Sequence, residues 1–468
     1  MPAIANHVKY QVFTSVVGVR GTAITTLLDF PLAHARHAEM SAPVYQETWV
    51  DQRGRAESLR GRPGSHKLRR SHRAWGVVLG GFINYFATFG LLNTFGLFQT
   101  FYQTELLQGT SSSTISWIGS IQLFLLFIGG MAVGPAFDKV GARRLTVPGT
   151  LLYVLAFMFT SLGTRFYQIL LAQGFLYGIA SALLFYPTIS VINVWFDKNR
   201  GLALGIVVSG SSIGGIVWPI VIEKLIGRVG FGWAMRVVGF ICLGVLSASS
   251  ALVVESPKPP RRRDDSQAVQ DDKQTVGAKA ELLNTGYLLL AAGFTFAYLG
   301  MFIPFYYIPL YGIDHGFSFD MATNLLSILN AGSFVGRLAS GFLSDMFGVG
   351  TLLFCLLVMK TKPTIIAFSV LYGLFTGGLI SLQSGCVARI TANVDIIGLK
   401  IGVLMAICSV GALAGGPVGG ALVAHDNGGY TAMIIFSGAT LLFAGVLFIM
   451  ARFALASELR VQSPGLRH

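Results

Sequence analysis

Twelve apolar stretches recur along the chain: 75–98, 114–136, 145–163, 166–190, 202–223 and 233–254, then 282–310, 322–343, 350–359, 364–386, 399–424 and 430–453. A helix needs about 20 apolar residues to cross roughly 30 Å of hydrocarbon, and nearly all of these stretches reach that length. Composition agrees where it bears on the point. Only 12% of the 468 residues are charged, 53% are hydrophobic and 57 are Gly, whereas soluble domains carry about 25% charged residues. The expected fold is therefore an all-α polytopic membrane protein whose helices pack closely through small residues. A net charge of +13 would suggest nucleic acid in a soluble chain. Here the bases lie between apolar runs, where they set topology, and no nucleic-acid partner is expected.

The predicted organisation is a basic cytosolic N-terminal tail at 1–73, a six-helix bundle at 74–255, a charged cytosolic linker at 256–281, a second helix bundle at 282–454 and a cytosolic tail at 455–468. Eight bases crowd residues 51–73, and Lys198, Arg200, Arg261, Arg262, Arg263, Arg389, Lys400 and Arg452 follow in loops of the same side. By the positive-inside rule both termini face the cytoplasm, with the plasma membrane as the default bilayer. Residues 11–28 are broken by Arg20 and lack the layout of a signal peptide,. The four Cys, at 242, 355, 386 and 408, sit inside apolar runs without CxxC spacing, which predicts neither a disulfide framework nor a metal site. No nucleotide-binding or hydrolytic motif is present, so the chain is expected to be no enzyme, to need no cofactor and to draw its energy from a gradient.

The most informative loop closes the second stretch. It carries Gly134, Asp138, Lys139, Gly141, Arg143 and Arg144 in the pattern GxxxDKxGxRR, and it resembles the signature loop between the second and third helices of major facilitator superfamily carriers. The resemblance implies a fold of two six-helix bundles. It also implies that Asp138 docks at the positive start of a helix in the other half, with Arg143 and Arg144 as partners on the cytoplasmic side. The halves also echo one another. GxxxD recurs at Gly341 and Asp345, GLALG at 201–205 is matched by GLKIG at 398–402, and SGSSIGG at 209–215 by SVGALAGG at 409–416. WFDKNRG at 195–201, with Asp197 and Arg200, reads as a clamp on the ends of helices four and five.

Four further segments, at 75–98, 111–122, 195–215 and 327–337, look like the monocarboxylate porter branch of that superfamily in its fungal form. The likeness covers 75–453 apart from the ninth stretch. In the animal lactate carriers of that branch a Lys on the first helix, and an Asp and an Arg on the eighth, bind the anion and its proton. Matching the motifs puts Arg337 at the Arg position, Ser333 at the Asp position and Asn93 at the Lys position. With one charge of three kept, lactate–proton transport does not follow. The resemblance implies instead a small organic acid or a carboxyl-bearing metabolite, with Arg337, Asn93, Ser333 and Asn330 as candidate substrate contacts. Asn84, Gln122, Gln173, Asn193 and Asn324, also inside spans, are expected to tie helices together.

The second half has a defect. Asp138 to Gly201 spans 63 residues and Asp345 to Gly398 spans 53, and the shortage falls on the ninth stretch. TLLFCLLVM at 351–359 would reach about 14 Å as a helix. A deletion, a wrongly spliced gene, or polar flanks drawn into the bilayer would each account for it. The expected function is efflux of a carboxyl-bearing secondary metabolite by an MFS carrier, whose partners are its small-molecule substrate, the lipid bilayer and a coupling proton. Proton-linked monocarboxylate uptake, a non-transporting sensor, and an inactive product of the short ninth span are the alternatives.

Overall fold

The structure is a computed structural model that describes residues 63–196, 200–255, 284–338, 353–357, 359–391 and 397–462. The chain divides into a unit Met1–Gly64 and a unit Ser65–His468. The second unit holds everything discussed below. Among the described residues it is almost wholly helical: α1 (Pro63–Leu92), α2 (Phe95–Phe101), α3 (Ser112–Ile128), α4 (Gly130–Val140), α5 (Arg143–Thr160), α6 (Phe166–Ile169), α7 (Tyr177–Trp195), α8 (Arg200–Leu252), α9 (Thr285–Asp314), α10 (Phe319–Leu338), α11 (Lys362–Ile390), α12 (Ile397–His425) and α13 (Thr431–Gln462).

Seven helices among the described residues are long and apolar enough to cross a membrane, or eight if α3 and α4, bent by 45°, form one span. Further crossings come from how the chain breaks. A straight helix of the 53 residues of α8 would be about 80 Å long, more than twice a bilayer core. Gly230, at φ 76°, folds it into two legs, the fifth and sixth stretches of the sequence. The short α1–α2 break at Asn93 and Thr94 leaves the first span continuous through a π-helical turn at Tyr102–Leu106. A second π-helical segment, Leu170–Leu176, joins α6 to α7. The seventh span runs unbroken through Pro304 and Pro309, and Phe302, Phe305, Tyr306 and Tyr307 are all buried within it. The helices alternate in direction. One side carries the 107–111 and 426–430 turns (the turn face), and the other carries Gly141 and the approaches to 256–283 (the linker face).

The internal repeat has a physical purpose. In α8, added methyls at Gly210 and Gly214 would strike the Phe82 and Phe86 carbonyls of α1, and one at Gly215 would overlap the Asn330 amide of α10. In α12, 201 positions later, Gly411 and Gly415 meet the Thr295 and Leu299 carbonyls of α9, and Gly416 meets Ser120 of α3. Each half thus uses two glycines to bring its fifth helix onto its first, and a third to bring it onto the other half. Close approach of this kind replaces the missing hydrophobic drive between helices in lipid.

One expectation needs correction. Lys400 is no loop residue: it is buried on α12 with its ammonium 5.4 Å from the Tyr287 ring. Near the turn face lie five bases, Arg165, Lys224, Arg228, Lys360 and Lys362. Of the ninth stretch, Leu353 and Leu356 are buried, and the Tyr311 hydroxyl of α9 donates to the Leu356 and Met359 carbonyls at 3.3 and 3.4 Å. The end of that stretch therefore packs against the turn-face part of α9.

Candidate substrate site and gate

Arg337 lies near the end of α10 and is buried. An ionised group in a membrane span is costly unless partnered or facing a cavity. Its Nη1 donates across the seam between the halves, to the Val208 carbonyl at 2.9 Å and to the Ser211 hydroxyl. Its Nε has no hydrogen-bond partner among the described residues. No acidic side chain pairs with Arg337 among those residues. The phenols of Tyr85 and Tyr298 are its electrostatic neighbours. The guanidinium therefore has an unused donor at the meeting of α8, α10 and two tyrosines, one from each half.

The other candidates separate into two groups. Asn93 and Asn330 meet: the Asn93 amide donates to Asn330 Oδ1 at 3.2 Å, and Asn330 donates to the Leu326 carbonyl at 2.9 Å. Asn330 precedes Arg337 by seven residues, two helical turns and about 10 Å nearer the turn face. The Asn pair thus lies above the Arg rather than beside it. Ser333 is buried, and its backbone faces α11, where methyls on Gly373 or Gly377 would strike it. Its hydroxyl has no partner among the described residues. Asn84 donates to Thr188 at 2.9 Å and Gln122 to the Gln173 carbonyl at 2.7 Å. These tie α1 to α7 and α3 to the π-helical segment, as expected of interhelical glue.

Toward the turn face the halves are sealed. Ser113 donates to the Pro417 carbonyl at 2.7 Å, and Ser327 to the Ile216 carbonyl at 2.9 Å. The Phe95 and Tyr306 rings meet edge to face at 4.9 Å. GGPVGG at 415–420 is what admits this seal: Gly416 clears Ser120 and Tyr306, and Gly420 clears Ser113 and Tyr307.

On the linker face the signature loop behaves differently from the expectation. Asp138 is exposed and makes no hydrogen bond or ion pair among the described residues, and Lys139, Arg143 and Arg144 are exposed too. The loop is held by its own half. Glu255 accepts from the Ala142 N–H at the start of α5, at 2.5 Å, as a carboxylate at a positive helix end should. Gly141, at φ 83°, leaves the space, since a methyl there would stand 2.5 Å from Glu255 Oε1. Gly134 is half-buried, with nothing within 4 Å of an added methyl. Trp195 donates to the neighbouring Val254 carbonyl at 2.7 Å. Asp197 and Asp345 lie outside the described residues, and of Arg200 only its place at the start of α8 is described.

Glu255, Val208 and Ser211 escaped the sequence reading. The 201-residue offset between the Gly-rich repeats pointed to the seam, but nothing in Ser211 itself marks it as an Arg partner.

The family profile described as the Major Facilitator Superfamily matches residues 77–359. An "MFS-type transporter" of Aspergillus niger is 50% identical over 397 residues, covering 82% of this chain and 90% of that protein. The aspyridones efflux protein of Emericella nidulans is 40% identical over 392 residues, 81% of this chain and 78% of its own length. The D-xylose–proton symporter crystal structure superposes with a TM-score of 0.62 at 17% identity, over 81% of this chain and 96% of that one, which shows the shared fold. The two alignments also measure a length difference. The covered share of this chain is about 384 residues in the first and about 379 in the second, in each case about 13 fewer than the aligned length.

Proposed function

The chain belongs to the major facilitator superfamily, and from that membership we propose that it exports an acidic secondary metabolite, with Arg337 as the group that holds the acid. The observation carrying this reading is the guanidinium itself: buried, unpaired with any carboxylate among the described residues, and with its Nε unused. A charge kept in a span under those conditions is paid for by what it binds. A carboxylate suits the planar fork of an arginine better than any neutral ligand does.

The same contacts suggest how binding couples to movement. Carriers of this kind rock two bundles about a midplane site. Arg337 sits on one bundle and donates to Val208 and Ser211 of the other, so a substrate anion competes with a bond that ties the bundles together. A ligand shifts such an equilibrium by its differential affinity for the two arrangements. We place the linker face at the cytoplasm of the plasma membrane, because the bases of 51–73 and 261–263 flank that side,. Direction is taken from the aspyridones efflux protein, and a proton gradient is the drive.

The test is efflux of a loaded organic acid from cells expressing the chain, comparing wild type with Arg337→Ala and Arg337→Lys. Export should fall at least tenfold in Arg337→Ala, with surface expression unchanged. Arg337→Lys should rescue little, because a point charge does not replace the fork. Undiminished export from Arg337→Ala would remove Arg337 from the site. An inactive product is the second reading, favoured by the positions the relatives have and this chain lacks, and it predicts no flux from any form.

A further inference from the structure

An aromatic pair crosses between the halves. Phe127 on α3 and Tyr298 on α9 stack with centroids 5.4 Å apart and planes 16° from parallel. Each lies 13 residues from the linker-face end of its span, at Val140 and Thr285, about 20 Å along the helix. Both rings are buried. Each is also fixed by its own half. The Tyr298 hydroxyl donates to Gln383 Oε1 at 2.6 Å, and the Phe127 carbonyl accepts from Tyr186 at 2.8 Å. Phe89 stands 6.2 Å from Phe127, and Phe302 stands 5.4 Å from Tyr298, extending each wall. Tyr298 is also an electrostatic neighbour of the Arg337 guanidinium.

We propose that Phe127 and Tyr298 are the two jaws of a slot for a planar conjugated ring, so that the substrate class is a flat aromatic or polyene-type acid rather than a saturated one. This rests on Arg337 as the acid-holding group. The jaws belong to different halves, so their spacing changes when the halves rock. Admitting a ring between two others takes about 7 Å between their planes, twice a carbon–carbon contact. The near-parallel pair, with centroids 5.4 Å apart, is in offset contact, so its planes must part by about 3.5 Å, one ring thickness, and the inserted ring replaces one stacked contact with two. Face-to-face contact of this kind favours a flat π-system over an alicyclic ring of similar volume, which cannot present a face to both jaws.

The test uses the full chain in lipid nanodiscs and two probes with the same carboxylate, 2-naphthoate and decahydro-2-naphthoate, measured by equilibrium dialysis. Wild type should bind the aromatic acid about tenfold more tightly. Phe127→Leu should cut the preference to within about twofold. Tyr298→Phe, which keeps the ring and loses only the bond to Gln383, should retain it, so a folding failure in one variant does not decide the matter. Arg337→Met should weaken both acids alike. Equal binding of the two acids by wild type, or a preference that survives in Phe127→Leu, overturns the slot while leaving the Arg337 reading intact. Binding of neither acid, or binding indifferent to Arg337→Met, overturns both.

Discussion

Asn93 donates to Asn330 at 3.2 Å across the seam, joining positions 237 apart in the chain, and Gly215 lies directly beneath the Asn330 amide. One polar bond and one absent side chain thus set the closest approach of three spans from two halves. Gly215→Ala should push Asn330 out of this place at a cost of about 1–3 kcal/mol, the usual penalty of overpacking. Because the contact belongs to the closed turn face, the cost falls on that arrangement alone. The expected outcome is increased labelling of a Cys introduced at a buried position toward the turn face, such as Ser116→Cys, with slower export. Labelling unchanged from wild type would show that Gly215 does not govern the seal.

Glu255 and Gly141 make a second pair. Glu255→Ala should remove the carboxylate from the start of α5 and cost about 0.5–2 kcal/mol, as loss of a helix cap does. Gly141→Ala should cost more. It adds a methyl 2.5 Å from Glu255 Oε1 at a position with φ 83°, where an L side chain is itself disfavoured. Thermal unfolding of the two single variants and the double variant checks this. The Glu255→Ala change should relieve part of the Gly141→Ala penalty, since the clash then disappears and only the backbone strain remains. Strict additivity would mean that the two residues do not meet.

Much of this was legible in the sequence, for reasons that differ by residue. The spans announced themselves because each needs about 20 apolar residues, and Arg337 because a charge in a span is rare. The pairing of Asn93 with Asn330 was not legible, since each is an unremarkable amide until the halves are brought together. Asp138 misled in another way. Its motif implies docking at a helix of the other half, yet Asp138 is exposed here, and Glu255, which no pattern marked, holds the loop at the start of α5 in the same half. The motif marks the loop, but not the contacts that hold it, which come from residues far along the chain.

Tyr430 offers a pH test outside the spans. Its hydroxyl donates to the Asp314 carboxylate. Burial first, and then Asp314, push its phenol above the ordinary tyrosine value. A raised folded-state value means that folding favours the protonated phenol. Its contribution is therefore complete below the unfolded-state value of about 10 and is lost as the pH rises beyond it. Tyr430→Phe should destabilise the chain by about 1.5–3 kcal/mol at pH 8, the range for a bond to a charged group. The difference between wild type and variant should shrink between pH 10 and 11. A constant difference across that interval would mean that the Tyr430 proton is not linked to folding.

The short ninth span yields the sharpest prediction, because its turn-face end is already packed. Leu353 and Leu356 already pack beside the α9 segment that Tyr311 anchors, so the turn-face end of the span is in place. Residues 339–352 lie outside the described residues, and the ninth apolar stretch, 350–359, has only ten residues. A helical return alone takes about 20 residues. The repeat spacing puts the shortage at ten residues, and the aspyridones efflux protein aligns over about 13 positions more than this chain covers. Inserting ten apolar residues just before Leu353 should raise the unfolding temperature by several degrees and increase export at equal surface expression. The insertion adds length where the span lacks it and leaves the packed end untouched. If the lengthened chain is less stable and no more active, the 468-residue form closes its second half by itself, and the missing length is a property of the relatives alone.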